Sequence, residues 1–515
     1  MKLLLSSPRA TALLITTFAV ILTLLVIAGV VKGKSGNPIW YQSPAERDAS
    51  IGSPFESSGT SSRYALVESL AEHGSVNLNL EQAQFAAPDI VEINGKFVTT
   101  FTPGISFAAV PFYLLGKVLG LPQLFAFFST LLFAFVNAGL IYYLAHKLAK
   151  SHFAAMIASV VFLVATNSLI YGNSLTQHHG STAVLLAAVT ATTVKNKMMR
   201  NTLIGCLTGI GLLFDIPNVF MIMPVVLSVL FSHFRTVTTL TRKSFVIDFK
   251  FIFLALGLAP MIAVFLWYNV VAAGSPLVVA QMFGRSHYFD TTEQKGLYLS
   301  QLKDVDPYAE KYPLSTRQQL RSLSILLISN ERSWLYYSPV LLLGIYGIYL
   351  LFKLPRKQKN LGLLVMYIAT VNILVYSMFG DPWGGWSFGP RYLIPSAAMM
   401  SVLLAIALER WKRNIPFLLF FAMLFLYSLY ISLAGALTTA AIPPKIEAEQ
   451  LTTGIPYTYQ YNFNFLNANQ TSSLLFDLWF DKFISAKNYW YILTAGGSFA
   501  LMLLLLGLWK EEKHV

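Results

Sequence analysis

Ser61-Ser-Arg-Tyr-Ala-Leu-Val-Glu-Ser-Leu-Ala-Glu-His73, closed by Gly74, and Asn94-Gly-Lys-Phe-Val-Thr-Thr-Phe-Thr-Pro-Gly104 belong to one polar loop, 32–103, directly behind the first apolar run at 10–31. The chain beyond residue 104 is mostly apolar, so a loop of this length must stand on one side of a membrane. That reading decides the fold. Leu66, Val67 and Leu70 share one helical face, with Glu68 and Glu72 opposite. The pattern predicts a helix over 61–73 lying on the bilayer surface, with Gly74 as its C-cap. Arg63 falls near the apolar face, where it either snorkels or contacts a lipid phosphate. The loop also carries Glu46, Asp48, Glu56, Asp89 and Glu92. One of these acids is expected to serve a site.

Composition agrees. The 515 residues are 55% hydrophobic and 12% charged, with a mean hydropathy of +0.58. Soluble domains carry roughly 25% charged residues, so this chain has too few charges to cover a soluble surface. A net charge of +13 would point to nucleic acid in a soluble protein. Here basic residues held on the cytoplasmic side account for it, and no nucleic-acid partner is expected. The single cysteine, Cys206, excludes an intramolecular disulfide and a cysteine-based metal cluster. Lys2 and Arg9 precede a long apolar run without a small-residue cleavage site, which reads as an uncleaved anchor.

A membrane helix needs roughly 20 apolar residues. Twelve runs qualify: 10–31, 123–148, 153–171, 178–195, 201–215, 217–232, 250–272, 334–352, 361–379, 391–409, 416–436 and 490–509. The run 104–119 contains Pro111 and reads as juxtamembrane or half-inserted. With the N-terminus inside, the basic clusters around Lys147, Lys197, Arg242, Lys357, Arg413 and Lys510 all fall on the cytoplasmic side. The long loops 32–103, 172–180, 273–333, 380–390 and 437–489 then share the outer face. The expected fold is an all-α polytopic protein of eleven to thirteen helices in a prokaryotic plasma membrane, with both termini cytoplasmic. Its expected parts are a core at 1–436, an aromatic-rich outer loop at 437–489, and a last helix and tail at 490–515.

Four outer stretches carry candidate chemistry. His178 and His179 open a membrane helix. Adjacent histidines cannot both face one metal from a helix, so hydrogen bonding to a polar head group is expected; a divalent metal stays an open possibility. Asp215 reads as the cap of the next helix, with Pro217 in its first turn. The loop 273–333 holds Arg285, a second amphipathic helix at 315–328 with Leu320, Leu323 and Leu327 on one face, and Arg332 and Trp334 as anchors at the re-entry point. Gly380-Asp-Pro-Trp-Gly-Gly-Trp-Ser-Phe-Gly-Pro-Arg-Tyr-Leu-Ile-Pro395 is the most specific stretch. Its glycines allow close backbone approach. Trp383 and Trp386 offer flat faces for a sugar ring or for the membrane interface. Arg391, at a helix start beside Tyr392, is placed to hold a phosphate together with free backbone N–H groups. In Tyr457-Thr-Tyr-Gln-Tyr-Asn-Phe-Asn-Phe465 aromatic and polar residues alternate, which predicts a strand.

Taken together, the layout resembles the GT-C superfamily of integral membrane glycosyltransferases, near the protein mannosyltransferase and lipid A aminoarabinose transferase families. The resemblance rests on 62–74 with Asn94-Gly-Lys-Phe97 and Thr102-Pro-Gly104, on Asn330-Glu-Arg-Ser-Trp-Leu-Tyr-Tyr-Ser-Pro339, and on Gly384-Gly-Trp-Ser-Phe-Gly-Pro-Arg-Tyr392. It implies a sugar donor on a polyprenyl phosphate, a lipid, glycan or protein acceptor met on the outer face, inversion at the anomeric carbon, and a carboxylate base in the first outer loop. Relatives carry an acidic pair where this chain has Thr60-Ser-Ser62, so the nearest acids, Glu56 and Asp48, are the expected base. Arg391, Arg285, Arg63, Tyr64, His178, His179 and Tyr392 are the expected donor-phosphate and substrate residues, and Trp383 and Trp386 the sugar-shaping ones. A transporter or flippase would place polar residues at mid-membrane and show repeated halves. Neither pattern is visible, which favours the enzyme. A non-catalytic glycan-binding membrane protein is the third reading.

Overall fold

Backbone groups in a bilayer must be satisfied within their own segment, so long apolar runs fold as helices. The computed structural model of the chain describes residues 8–33, 52–238, 243–283, 314–451 and 454–511. Its helices are α1 Pro8–Gly29, α2 Ser58–His73, α3 Gly104–Val118, α4 Pro122–Ala149, α5 His152–Val164, α6 His178–Ala191, α7 Lys197–Phe214, α8 Asn218–Phe231, α9 Ile252–Ala273, α10 Gln319–Leu327, α11 Leu343–Leu351, α12 Arg356–Ser377, α13 Ile394–Trp411, α14 Ile415–Leu437, α15 Gln460–Asn467 and α16 Ala486–Lys510, joined by shorter helical turns. Two antiparallel hairpins, β1 Ile90–Ile93 with β2 Lys96–Thr99 and β3 Phe234–Thr238 with β4 Lys243–Ile247, are the strands among the described residues.

Seven of the twelve apolar runs form helices long and apolar enough to cross a membrane: α1, α4, α9, α12, α13, α14 and α16. The runs 153–171, 217–232 and 334–352 give shorter apolar helices, and 178–195 and 201–215 give α6 and α7. The run 104–119 gives α3, whose 15 residues reach about 22 Å and do not span a bilayer core of ~30 Å. α13 is buried over most of its length and forms the centre of the bundle, while α9 lies at the edge. α7 and α9 touch backbone to backbone. A Cβ at Gly205 would sit 2.0 Å from the Leu254 carbonyl oxygen, and one at Gly257 2.1 Å from that of Thr202.

Two ends of the bundle differ in chemistry. At one, the loop face, Glu56 meets Thr439 and Ala440, the Ser387 N–H donates to the Ile442 carbonyl, and Trp386 meets Glu447. At the other, Lys197 pairs with Asp248 at 2.7 Å, the Gln358 amide donates to the Lys147 and Leu148 carbonyls, and the His152 N–H donates to Glu511. Among the described residues, the long loops therefore gather at one end and the basic clusters at the other.

Several sequence expectations change. α2 begins three residues early and is buried on every side from Gly59 to Ser69, so it is a core helix of the loop face and does not lie on a bilayer surface. Gly74 does cap it, at φ 60°, with its N–H on the Leu70 carbonyl. α10 is shorter than 315–328 and turns Ser322, Ile325 and Leu326 inward, leaving Leu320 exposed. The stretch 457–465 is not a strand. It supplies α15, because Asn462 and Leu466, one turn apart, are buried while Phe463 packs on Trp490 at 5.3 Å.

Candidate functional site

The turn that opens α13 is held from three sides. Pro390 precedes a 3₁₀ turn, Arg391–Leu393, and Pro395 sits in the first turn of the helix. Asn372 on α12 donates to the Tyr392 carbonyl (3.2 Å) and accepts from the Ser396 N–H (3.2 Å) and hydroxyl (2.6 Å). The Tyr171 hydroxyl accepts from the Phe388 N–H (3.0 Å) and donates to the Phe388 carbonyl (3.1 Å), pinning the loop just before the turn. Gly384 has φ 73° and lies against Arg391. A Cβ there would stand 2.7 Å from the guanidinium Nε, so only glycine lets the loop pass. The Gly384 N–H donates to Asp381 at 3.0 Å.

Arg391 thereby points into the loop face. Its guanidinium carbon lies 5.4 Å from the Tyr392 ring centroid, and its Nε is buried without a hydrogen-bond partner. Among the described residues it forms no ion pair. Tyr392 stacks on Tyr376 (4.6 Å, 9°), and the Tyr376 hydroxyl donates to Asp215 at 2.8 Å. His178 meets Tyr392 edge-on at 6.0 Å and Tyr171 at 5.8 Å. Asp215 therefore serves this cluster through its carboxylate. The first residue of α8 is preceded by Pro217, with no side-chain cap.

From the opposite side α2 supplies Arg63, 5% exposed. It donates to the Gly59 carbonyl at 2.7 Å and to the Gln177 side-chain oxygen at 2.5 Å, and covers the Phe101 ring at 3.7 Å. Burial is the largest influence on its guanidinium and the charge of Arg391 the next. Together they lower its pKa to about 10 against Asp89, Asp215 and Tyr392. Arg63 is still a cation at neutral pH. Burial pushes the Asp381 carboxyl upward, against the pull of Arg391 and Arg332. The Arg391 charge thus bears on the Arg63 guanidinium in a poorly solvated place. An anion beside them would offset that charge.

Other expected residues make contacts of their own. Tyr64 points away into an aromatic cluster with Phe55 (5.0 Å), Tyr113 (5.9 Å) and Phe127 (6.3 Å). His179 faces the bundle interior, at the Ser168 carbonyl (3.0 Å) and Asn137. The Trp383 and Trp386 indole N–H groups donate at 2.6 Å to Glu331 and Glu447, and Arg321 covers the Trp383 ring at 5.2 Å. Glu56 accepts from Lys32 (2.6 Å), the Gly52 N–H (2.8 Å), the Ala440 N–H (2.9 Å) and the Thr439 hydroxyl. With four donors on it, its carboxylate fastens the first loop to 439–440. Asp48 and Arg285 lie outside the described residues. No group of three His, Cys, Asp or Glu side chains among the described residues could hold a metal.

The structure adds Gln177, Tyr376, Asn372 and Asp381 to the cluster. Asp381 sits in the stretch the sequence singled out. Gln177 sits in the outer turn that carries His178, whereas Asn372 and Tyr376 lie within an apolar run and carry no local signal.

No family model matches the sequence, and no curated protein matches it. Among solved structures the chain is similar to ArnT from Cupriavidus metallidurans in the apo state, with a TM-score of 0.48 and 13% identity over 95% of this chain and 76% of that one. It is also similar to ArnT from the same organism bound to undecaprenyl phosphate, with a TM-score of 0.47 and 12% identity over 96% and 76% of the two chains.

Proposed function

We propose that this membrane protein is an inverting glycosyltransferase that moves a sugar from a polyprenyl-phosphate donor to a lipid, glycan or protein acceptor at the loop face, on the outer side of a prokaryotic plasma membrane. The observation that carries the reading is the gathering of Arg63 and Arg391 at the loop face of a bundle of membrane-length helices, with the buried Arg391 Nε unpartnered and the Arg391 charge bearing on Arg63. A lipid-borne phosphodiester reaches that depth with its tail in the bilayer and its charge between the arginines. Arg391 offers the planar fork that phosphate oxygens match.

In the reaction the acceptor hydroxyl attacks the anomeric carbon, and the bond from that carbon to the phosphate oxygen breaks. The electron pair leaves with the polyprenyl phosphate, whose added negative charge both arginines stabilise. The acceptor's proton goes to a carboxylate. Asp48 of the first loop is one candidate, and Asp89, also of the first loop, Asp215 and Asp381 are carboxylates whose charge bears on the arginines. Glu56 is a further candidate, and its four hydrogen bonds argue for a fastening role. His178 and Tyr392 line the same cluster and would shape the donor.

The test is release of polyprenyl phosphate from labelled donors by purified protein supplied with a membrane glycolipid extract. A hydrogen bond to a charged group contributes about 1.5–3 kcal/mol. Arg391→Ala should therefore weaken donor use roughly tenfold to a hundredfold, and Arg63→Ala similarly. Unchanged turnover of Arg391→Ala at limiting donor would remove the residue from the site. Donor binding without release of polyprenyl phosphate, with acceptor present, would favour transport or glycan binding.

A further inference from the structure

The segment 474–485, between α15 and α16, has no part in the cluster above. Both its ends are fixed at the ends of membrane helices. The Ser473 hydroxyl donates to the Gly29 carbonyl (2.7 Å) and the Leu474 N–H to the Val31 carbonyl (2.9 Å), at the close of α1. α16 opens at Ala486, and the Tyr489 hydroxyl reaches the same Gly29 carbonyl (3.0 Å). Between these ties the chain makes a π turn, Phe476–Phe480, that points Phe476 and Phe480 towards Tyr489 at 5.2 and 5.3 Å. The opposite side of the turn carries Leu478, Trp479 and Phe483, which are 49%, 68% and 82% exposed. Large apolar side chains this open on a tightly tethered segment need a partner.

The position of the segment names that partner. α1 and α16 pack along each other and expose Phe18, Leu25, Ile492 and Phe499 along their flanks, as spans facing lipid do. The patch continues that flank at its loop-face end. Asp477, Asp481 and Lys482 are interleaved with its apolar residues, so charged groups and apolar side chains alternate within one turn. That composition suits the boundary between head groups and acyl chains, where Trp is enriched. We propose that 475–483 is an interfacial anchor whose Leu478, Trp479 and Phe483 dip into the leaflet on the loop face. The occupant of the patch is phospholipid. The anchor is also joined to the loop face. Ser472 bonds the Leu437 and Thr438 carbonyls, one residue from the Thr439 that holds Glu56. It therefore sets the depth of the loop face relative to the head groups.

The single cysteine makes the test direct. In a Cys206→Ser background, Phe483→Cys would carry an environment-sensitive fluorophore, with the protein in phospholipid nanodiscs. Lys96→Cys, exposed on the β1–β2 hairpin, is the reference. The expected result is blue-shifted emission at 483, quenched by doxyl-labelled lipid and protected from iodide, while the label at 96 behaves as in water. Matching emission and iodide quenching at the two positions would overturn the anchor. So would a blue shift at 483 that disappears at one protein per disc, because a second copy would then be the cover. A conservative variant guards against misfolding of the labelled protein. Trp479→Phe should reduce the share of tryptophan emission quenched by brominated lipid, and an unchanged share would equally sink the proposal.

Discussion

Arg391 and Glu56 are both charged residues of the loop face, yet their surroundings give them opposite characters. Arg391 has a buried Nε without a partner, while Glu56 is saturated with donors. Neutralising Glu56 would strand Lys32, which is almost fully buried against it. Removing one partner of a buried pair costs about 3–5 kcal/mol. Glu56→Gln should therefore lower the thermal midpoint in detergent sharply, and Lys32→Met with Glu56→Met should recover much of it. Lost turnover at an unchanged midpoint would instead make Glu56 the base. Asp381 gives a pH prediction. Its carboxyl is held above the usual range, chiefly by burial, while Arg391 pulls it down. Protonating Asp381 removes a negative charge from Arg391, so donor affinity should rise as pH falls through that raised value. The same sign holds for folding: the contribution is fully present below the unfolded pKa and is lost as pH rises through the folded one. Asp381→Asn should flatten both dependences, read as donor binding and thermal midpoint against pH. A pH-dependent affinity that survives in Asp381→Asn would show that another group titrates. The gathering of Arg63, Arg391, His178 and Tyr392 in one cluster was legible in part, since each stands in a polar stretch at the end of an apolar run. The contacts of Gln177 and Tyr376 were not, although Gln177 stands in the same polar turn as His178. Their roles arise from contacts to Arg63 and Asp215 across 114 and 161 residues of chain, and nothing local encodes such a pairing.

At the scale of elements, sequence reading succeeded where one apolar surface decides the outcome. It fell short where neighbouring elements decide. The seven long helices are a direct consequence of apolar length. α2 shows the opposite case. Its charges suggested a wet face, but Glu68 accepts from Gln82 at 3.0 Å and Arg63 from the same helix reaches Gln177, so both faces are covered. The stretch 457–465 alternates aromatic and polar residues, and some of those aromatics also repeat at helical spacing. Tyr459 and Phe463, one turn apart, lie 5.3 Å from each other and pack onto Tyr336 and Trp490, so tertiary contact chose the helix. The element most exposed to test is the turn opening α13. Asn372 is its brace, with three hydrogen bonds and no exposure. Asn372→Ala leaves buried polar groups unpaired, at about 1–3 kcal/mol each. A lowered thermal midpoint should come with a raised KM for donor, because Arg391 and Tyr392 ride on this turn. A midpoint loss with KM unchanged would make Asn372 purely structural.

For the whole molecule, the segregation of loops from basic clusters is the pattern that charge counting anticipated. What charge counting could not show is how the loops become one surface. Arg332, read from sequence as an interfacial anchor, is fully buried. Its guanidinium donates to four backbone carbonyls: Glu331 (2.7 Å), Tyr457 (3.3 Å), Ile442 (2.7 Å) and Pro443 (3.0 Å). It thus stitches the segment before α11 to two points of the loop after α14. Ser387 adds a third stitch at Ile442, next to the turn that carries Arg391. A buried cation held by backbone carbonyls is costly to make, and it is effective because the guanidinium fork reaches three chain segments at once. Arg332→Met keeps an extended apolar side chain of suitable reach but leaves four carbonyls without their donor. The membrane helices do not use these bonds, so the bundle should still assemble and insert. The loop 438–485 should then become protease-sensitive in sealed vesicles with the loop face outward, while helix content by circular dichroism stays at the wild-type level. Donor binding should fall with it, since the loop holding Ser387 backs the Arg391 turn. Resistance to protease equal to wild type would show that Trp386–Glu447 and the Ser387 bond hold the loops without Arg332. Loss of helix content would show instead that the clamp is needed for the bundle itself.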